Sequence, residues 1–209
     1  MMDVVDLSLL DSSGTTVLAA TKAWWYVSRA SGIVAWALLA LAVLWGLALS
    51  TRALGRRPAA PWLLDVHRFM GGLAVLFTIV HFGSLALDPW MTSEYGYDLV
   101  QAFVPFAIQW KPGPVAWGVV AFWLLLAVEI TSLLKKRIPN DVWRWVHLTS
   151  YPLYAMATIH LLTAGSERSN PALRWSVLIT VGAVVFFSVY RIVGPGRAAS
   201  VKQSGSPRA

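Results

Sequence analysis

The side chains in this chain best suited to chemistry are its four histidines, His67, His81, His147 and His160. They occupy two stretches. One is PWLLDVHRFMGGLAVLFTIVHFGSLALDP, from Pro61 to Pro89, and the other is DVWRWVHLTSYPLYAMATIHLLTAG, from Asp141 to Gly165. Both read as apolar helices with a histidine near either end. An ionisable side chain inside a membrane is costly and by default functional, and neutral imidazole is a metal ligand with no charge to desolvate. His67 and His147 each lie six residues past the start of their stretch, while His81 and His160 lie 20 and 19 residues past it. At 1.5 Å per residue, the histidines therefore occupy two depths about 20 Å apart. On parallel helices His67 can face His147, and His81 can face His160. Each pair suits ligation of one haem iron from both sides, with the two haems stacked across a bilayer.

Helical phase supports one half of this arrangement and strains the other. The 14-residue step from His67 to His81 returns to within about 40° of the same face. The 13-residue step from His147 to His160 leaves them about 140° apart in an ideal helix. Pairing therefore requires a distortion, and Pro152 between them is the expected kink. Gly71 and Gly72, one turn past His67, leave room for a flat macrocycle or for close helix packing. A single membrane histidine can serve only to bond a neighbouring helix, but four at two matched depths are hard to explain that way. A proton relay is the sharper rival. It calls for a carboxylate at mid-membrane, and Glu129 is the candidate, unless it pairs with Lys135 or Lys136.

Composition sets the class. Of 209 residues, 57% are hydrophobic and 13% charged, against about a quarter charged in a soluble domain. Several apolar runs reach the roughly 20 residues that a helix needs to cross a bilayer. The fold class is all-α, an integral membrane bundle of five transmembrane helices around two stacked b-type haems. The chain has no cysteine, which excludes disulfides, cysteine-held iron–sulfur clusters, thiolate-ligated haem and haem attached through C-x-x-C-H. The net charge of +7 is no nucleic-acid signal, because its distribution follows the positive-inside rule.

The expected spans are residues 27–50, 62–87, 115–134, 142–164 and 173–193. Residues 1–23 read as an external tail carrying at most a short surface helix, 24–193 as the haem domain, and 194–209 as a basic, disordered cytoplasmic tail. The connection 88–114 is apolar in its middle but broken by Pro105, so it lies on or dips into the surface. With the amino terminus outside, twelve Lys and Arg fall inside and five outside. That bias predicts a multi-pass cell-membrane protein with its carboxyl terminus in the cytoplasm, and makes the second and fourth spans parallel. Arg68 and Arg144 lie near the inner histidine level, where arginine could hold a haem propionate or simply anchor the interface. Many of the twelve tryptophans sit near expected interfaces, as in an aromatic belt. Phe77 and Tyr154 lie between the two levels, either as packing or between the haems.

His67-x13-His81 and His147-x12-His160, with SRASGIVAW, HRFMGGLAV and the loop residues Val104, Pro105 and Phe106, resemble the ferric reductase transmembrane domain. That domain is shared by ferric reductases, NADPH oxidases and the haem subunit of the methionine sulfoxide reductase system. The resemblance covers most of residues 24–193. It implies two haem b groups on the paired histidines and electron flow from the cytosol to an outer acceptor such as ferric iron, oxygen or a partner protein. It also implies a propionate contact for Arg29, whose plainer role is an interfacial anchor. The chain departs from the larger members in having five spans and no flavin or nicotinamide domain. A cytosolic flavoprotein reductase or a membrane quinol is then the expected donor, with flavin or quinone supplied by that partner. The rival functions are a haem-bearing anchor or electron-transfer subunit of a larger complex, and a haem-free histidine transporter or proton channel.

Overall fold

The computed structural model describes residues 12–51 and 61–193, and among these every regular element is a helix. Four helices are long and apolar enough to cross a membrane: α1 (Ser12–Thr51) over Lys22–Thr51, α2 (Pro61–Ala86), α5 (Pro112–Leu133) and α8 (Pro171–Val193). α1 is one continuous helix of 40 residues, so residues 12–23 are helical and run without a break into the first span, which begins at Lys22. The arginine loop with Arg52, Arg56 and Arg57, residues 1–11, and the basic tail from Gly194 lie outside the described residues.

The expected fourth span is divided into α6 (Asn140–Leu148) and α7 (Ser150–Ala164), and neither alone has the length of a membrane span. The divide falls at Thr149, three residues before Pro152. A proline has no N–H for the carbonyl four residues back, and its ring clashes with that carbonyl, here Leu148. The helix responds with a tighter turn: the Thr149 amide and hydroxyl both bond the Val146 carbonyl, at 3.0 and 2.6 Å. α7 restarts with the Leu153 amide on the Thr149 carbonyl at 2.9 Å.

The connection between α2 and α5 folds back over one end of the bundle. It carries α3 (Pro89–Tyr95) and α4 (Leu99–Phe103). Asp88 caps α3 by accepting from the Trp90 and Met91 amides at 3.0 and 3.1 Å, and Asp98 caps α4 through the Gln101 amide. Capping by Asp satisfies amides that a helix start otherwise leaves orphaned. Met91, Tyr97, Ala102 and Ile108 are buried there against Trp25 of α1 and Phe82 of α2. The segment that the sequence places on the membrane surface is thus a lid with its own small core.

α1 is the centre of the packing. It lies along α2, α8 and α7, while α5 packs on α7 and α6. Trp36, Leu39, Ala40 and Val43 of α1 meet Leu125 of α5 and Leu153 of α7 in the main core. Tyr154 belongs to this core, and its hydroxyl bonds Thr180 of α8 at 2.8 Å. Its role is packing between helices. The backbones of α2 and α7 stand apart, and the histidines occupy the space between them.

Candidate functional site

All four histidine rings turn into that space, and they do so in the expected pairs. His67 and His147 have ring centres 6.0 Å apart and planes crossed at 66°. His81 and His160 lie 6.2 Å apart and cross at 78°. The break at Thr149 reorients α7 relative to α6, so the 13-residue step does not turn His160 away. An imidazole nitrogen sits about 2.0 Å from a bound transition metal and about 1.1 Å from its own ring centre, so two rings on opposite sides of one metal lie about 6.2 Å apart. Both pairs have that spacing. No cluster of three or more His, Asp or Glu able to hold a metal exists among the described residues. Each pair therefore offers two nitrogens, and a metal held there would need another group, such as a porphyrin, for the rest of its coordination sphere.

The His81/His160 pair is fixed by the backbone. Nδ1 of His81 bonds the Ser28 carbonyl at 2.8 Å, with the Ser28 hydroxyl at 3.2 Å. Nδ1 of His160 bonds the Pro114 carbonyl at 2.9 Å. A carbonyl only accepts, so each Nδ1 carries the proton, and Nε2 of the neutral ring keeps its lone pair for a metal. The His67/His147 pair differs: neither buried Nδ1 makes a well-formed hydrogen bond, the Ala42 backbone being the group beside His67.

Glycines make the space for three of the rings. A Cβ on Gly32 would lie 2.8 Å from His81 Nδ1, one on Gly46 3.2 Å from His67 Cε1, and one on Gly118 2.7 Å from His160 Nδ1. Sequence reasoning missed these three. A signal was available, because Gly32 and Gly46 are 14 residues apart, the same step as His67 to His81. Of the two roles expected of Gly71 and Gly72, Gly71 takes the close helix packing. Gly72 has nothing near it, and Gly71 seats the Glu129 carboxylate. Among the described residues Glu129 forms no ion pair with Lys135 or Lys136.

A cavity of about 210 Å³ surrounds the His81/His160 pair, lined largely by apolar side chains of α1, α2, α5 and α7 and by the lid. Polar groups are few. Arg29 and Glu167 form an ion pair on its wall, and Gln101 presents a buried side-chain oxygen with no partner. Tyr97 also lines it, donating to the Phe82 carbonyl at 3.4 Å. Burial, with Asp98 adding to it, pushes the Tyr97 phenol up to about 12. Glu167 was not legible as a site residue. Arg68 is exposed and pairs with Asp65 at 3.5 Å, and Arg144 is exposed; these placements fit surface anchors.

Residues 31–158 match the family model described as ferric reductase like transmembrane component. The match covers more than half of the chain, which belongs to this family of multi-pass membrane proteins of transmembrane electron transfer. The matched region contains His67, His81 and His147 and ends two residues before His160. Neither the curated proteins nor the solved structures compared with the chain include a match.

Proposed function

We propose that this protein carries electrons across the cell membrane through two b-type haems, an inner one held by His67 and His147 and an outer one held by His81 and His160. The observation that supports this best is the pair of ring spacings, 6.0 and 6.2 Å, each what two imidazoles on one iron require. Such a haem supplies a reversible one-electron couple with no open coordination position. The chain's part is to orient the rings, exclude water and keep the iron ligands neutral. Backbone carbonyls orient the outer pair, glycines leave room for the rings, and the apolar cavity keeps the outer site dry. Arg29 on the cavity wall has the charge to hold a propionate, exchanging Glu167 for it.

In this reading α6 and α7 together make the fourth of five crossings. Their histidines must reach the same two depths as those of α2, and 13 residues of helix span about 20 Å. The amino terminus is outside, the carboxyl terminus is cytoplasmic, and the lid closes the outer end. Electrons enter at the inner face from a cytosolic flavoprotein or a quinol and leave to ferric iron, oxygen or a partner protein.

The test is a reduced-minus-oxidised visible spectrum of the purified protein, with haem counted per chain. Two haems are expected. His67→Ala and His147→Ala should each abolish the inner one, and His81→Ala and His160→Ala the outer one. A haem-free wild-type protein refutes the reading. Loss of one and the same haem in both His67→Ala and His81→Ala refutes the pairing.

A further inference from the structure

Of the inner pair, His67 has the Ala42 backbone beside it, but His147 has no backbone hydrogen bond of the kind that holds the outer pair, and its ring has another support. The Trp143 indole lies against the His147 imidazole, ring centres 4.9 Å apart and planes within 22°. Trp143 and His147 sit four residues apart on α6, where helix geometry stacks side chains one turn apart. The Lys135 ammonium, from the turn that follows α5, lies 3.7 Å from the centre of the same indole. Lys135 is exposed and Trp143 half-buried. The three side chains therefore run from water to the candidate iron ligand. The indole Nε1 is buried without a partner, like Nδ1 of His147. No hydrogen bond restrains either the indole or the imidazole, and the stacked and cation–π contacts are what remain to do so.

We propose that Trp143 is the positioning residue of the inner site. It fixes the plane of the His147 ring by stacking, in place of the carbonyl bond used in the outer site. Lys135 clamps the indole from the surface and adds a positive charge that favours the reduced state of the inner haem. This rests on the two-haem reading above. At a separation on the order of 10 Å, a surface cation acting through a largely aqueous dielectric shifts a reduction equilibrium about two- to threefold, which is about 20–30 mV for a one-electron couple.

The experiment uses haem-loaded protein in nanodiscs, in a His81→Ala background that keeps only the inner haem. Trp143→Leu should shift and broaden its low-spin ferric electron paramagnetic resonance signal, and Trp143→Phe should restore most of the wild-type line. Lys135→Met should lower the midpoint potential by the two- to threefold equivalent, and Lys136→Met should lower it less. The idea is overturned if Trp143→Leu leaves signal and midpoint unchanged, if Trp143→Phe fails to restore the line, or if Lys135→Met and Lys136→Met act alike. Should Trp143→Leu fail to fold, the phenylalanine and Lys135 variants still decide. A parent protein that never binds haem fails earlier and separately, at the visible spectrum.

Discussion

Gly118→Ala tests the geometry of the outer site with one methyl group. The new Cβ would lie 2.7, 2.8 and 2.9 Å from Nδ1, Cε1 and Cγ of His160, so it meets the ring face and not a flexible tip. Ordinary contact is about 3.4 Å or more, so the ring must retreat by most of an ångström. Overpacking of this kind costs about 1–3 kcal/mol. The retreat also strains the 2.9 Å bond from His160 to the Pro114 carbonyl, and losing such a bond costs about 0.5–1.5 kcal/mol. Both terms fall on the outer site, about 2–4 kcal/mol together, which weakens outer haem retention by roughly thirtyfold to several hundredfold at 1.4 kcal/mol per decade. Helix propensity acts the other way, since Gly→Ala inside a helix stabilises by up to about 1 kcal/mol. A general loss of fold is therefore not the expected outcome. The assay is haem content and difference spectra of Gly118→Ala beside Gly72→Ala, where an added Cβ meets nothing within 4 Å. Gly118→Ala should lose or shift the outer haem and spare the inner one, while Gly72→Ala should resemble wild type. Full retention of both haems with unchanged spectra in Gly118→Ala would falsify the ring placement.

Crossed ring planes of 66° and 78° predict strongly anisotropic low-spin ferric signals from both haems; two ordinary rhombic signals would mean near-parallel rings and contradict the geometry. A protease-sensitive tag at Ser93 should be cleaved in intact cells and a reporter after Ala209 should be cytoplasmic, since Lys and Arg divide twelve to five in favour of that orientation; protection of the Ser93 tag until lysis reverses it. Asp88→Ala strips the two capping bonds of α3 at a buried position, so thermal stability should fall by the equivalent of about 1–2 kcal/mol, with the outer haem lost before the inner one on heating; unchanged melting argues that the lid is not held by this cap. In liposomes with the cytoplasmic face outward, NADPH alone should leave the haems oxidised and an added flavin reductase should reduce them, because hydride chemistry needs a flavin or nicotinamide site; rapid reduction by NADPH alone contradicts the donor assignment.

The membrane class and the depth match of the histidines were legible because both follow from quantities that are local along a chain. Helical rise is constant, so a residue count is a depth, and apolar run length is a span. The family resemblance read from the histidine spacing agrees with the family match. The small core of the lid was less legible for a local reason: its apolar residues suit a membrane surface as well as a core, and only the fold shows Asp88 and Asp98 capping its helices.

What the sequence alone determined, then, is which residues share a level and that they share a membrane. The tertiary structure decided everything that depends on a second helix at contact distance. The phase conflict between His147 and His160 is resolved at Thr149, where Pro152 forces a break whose direction no single-helix wheel contains. Gly71, which sequence position leaves open between a macrocycle and a close helix, seats Glu129 of α5. Gly32, Gly46 and Gly118 acquire meaning only when antiparallel packing sets them against imidazoles from other helices. That His81 and His160 meet backbone carbonyls while His147 lies against the Trp143 indole depends on which groups come within reach of each ring. Such distances are set by side-chain packing across helices, and no spacing along one helix encodes them.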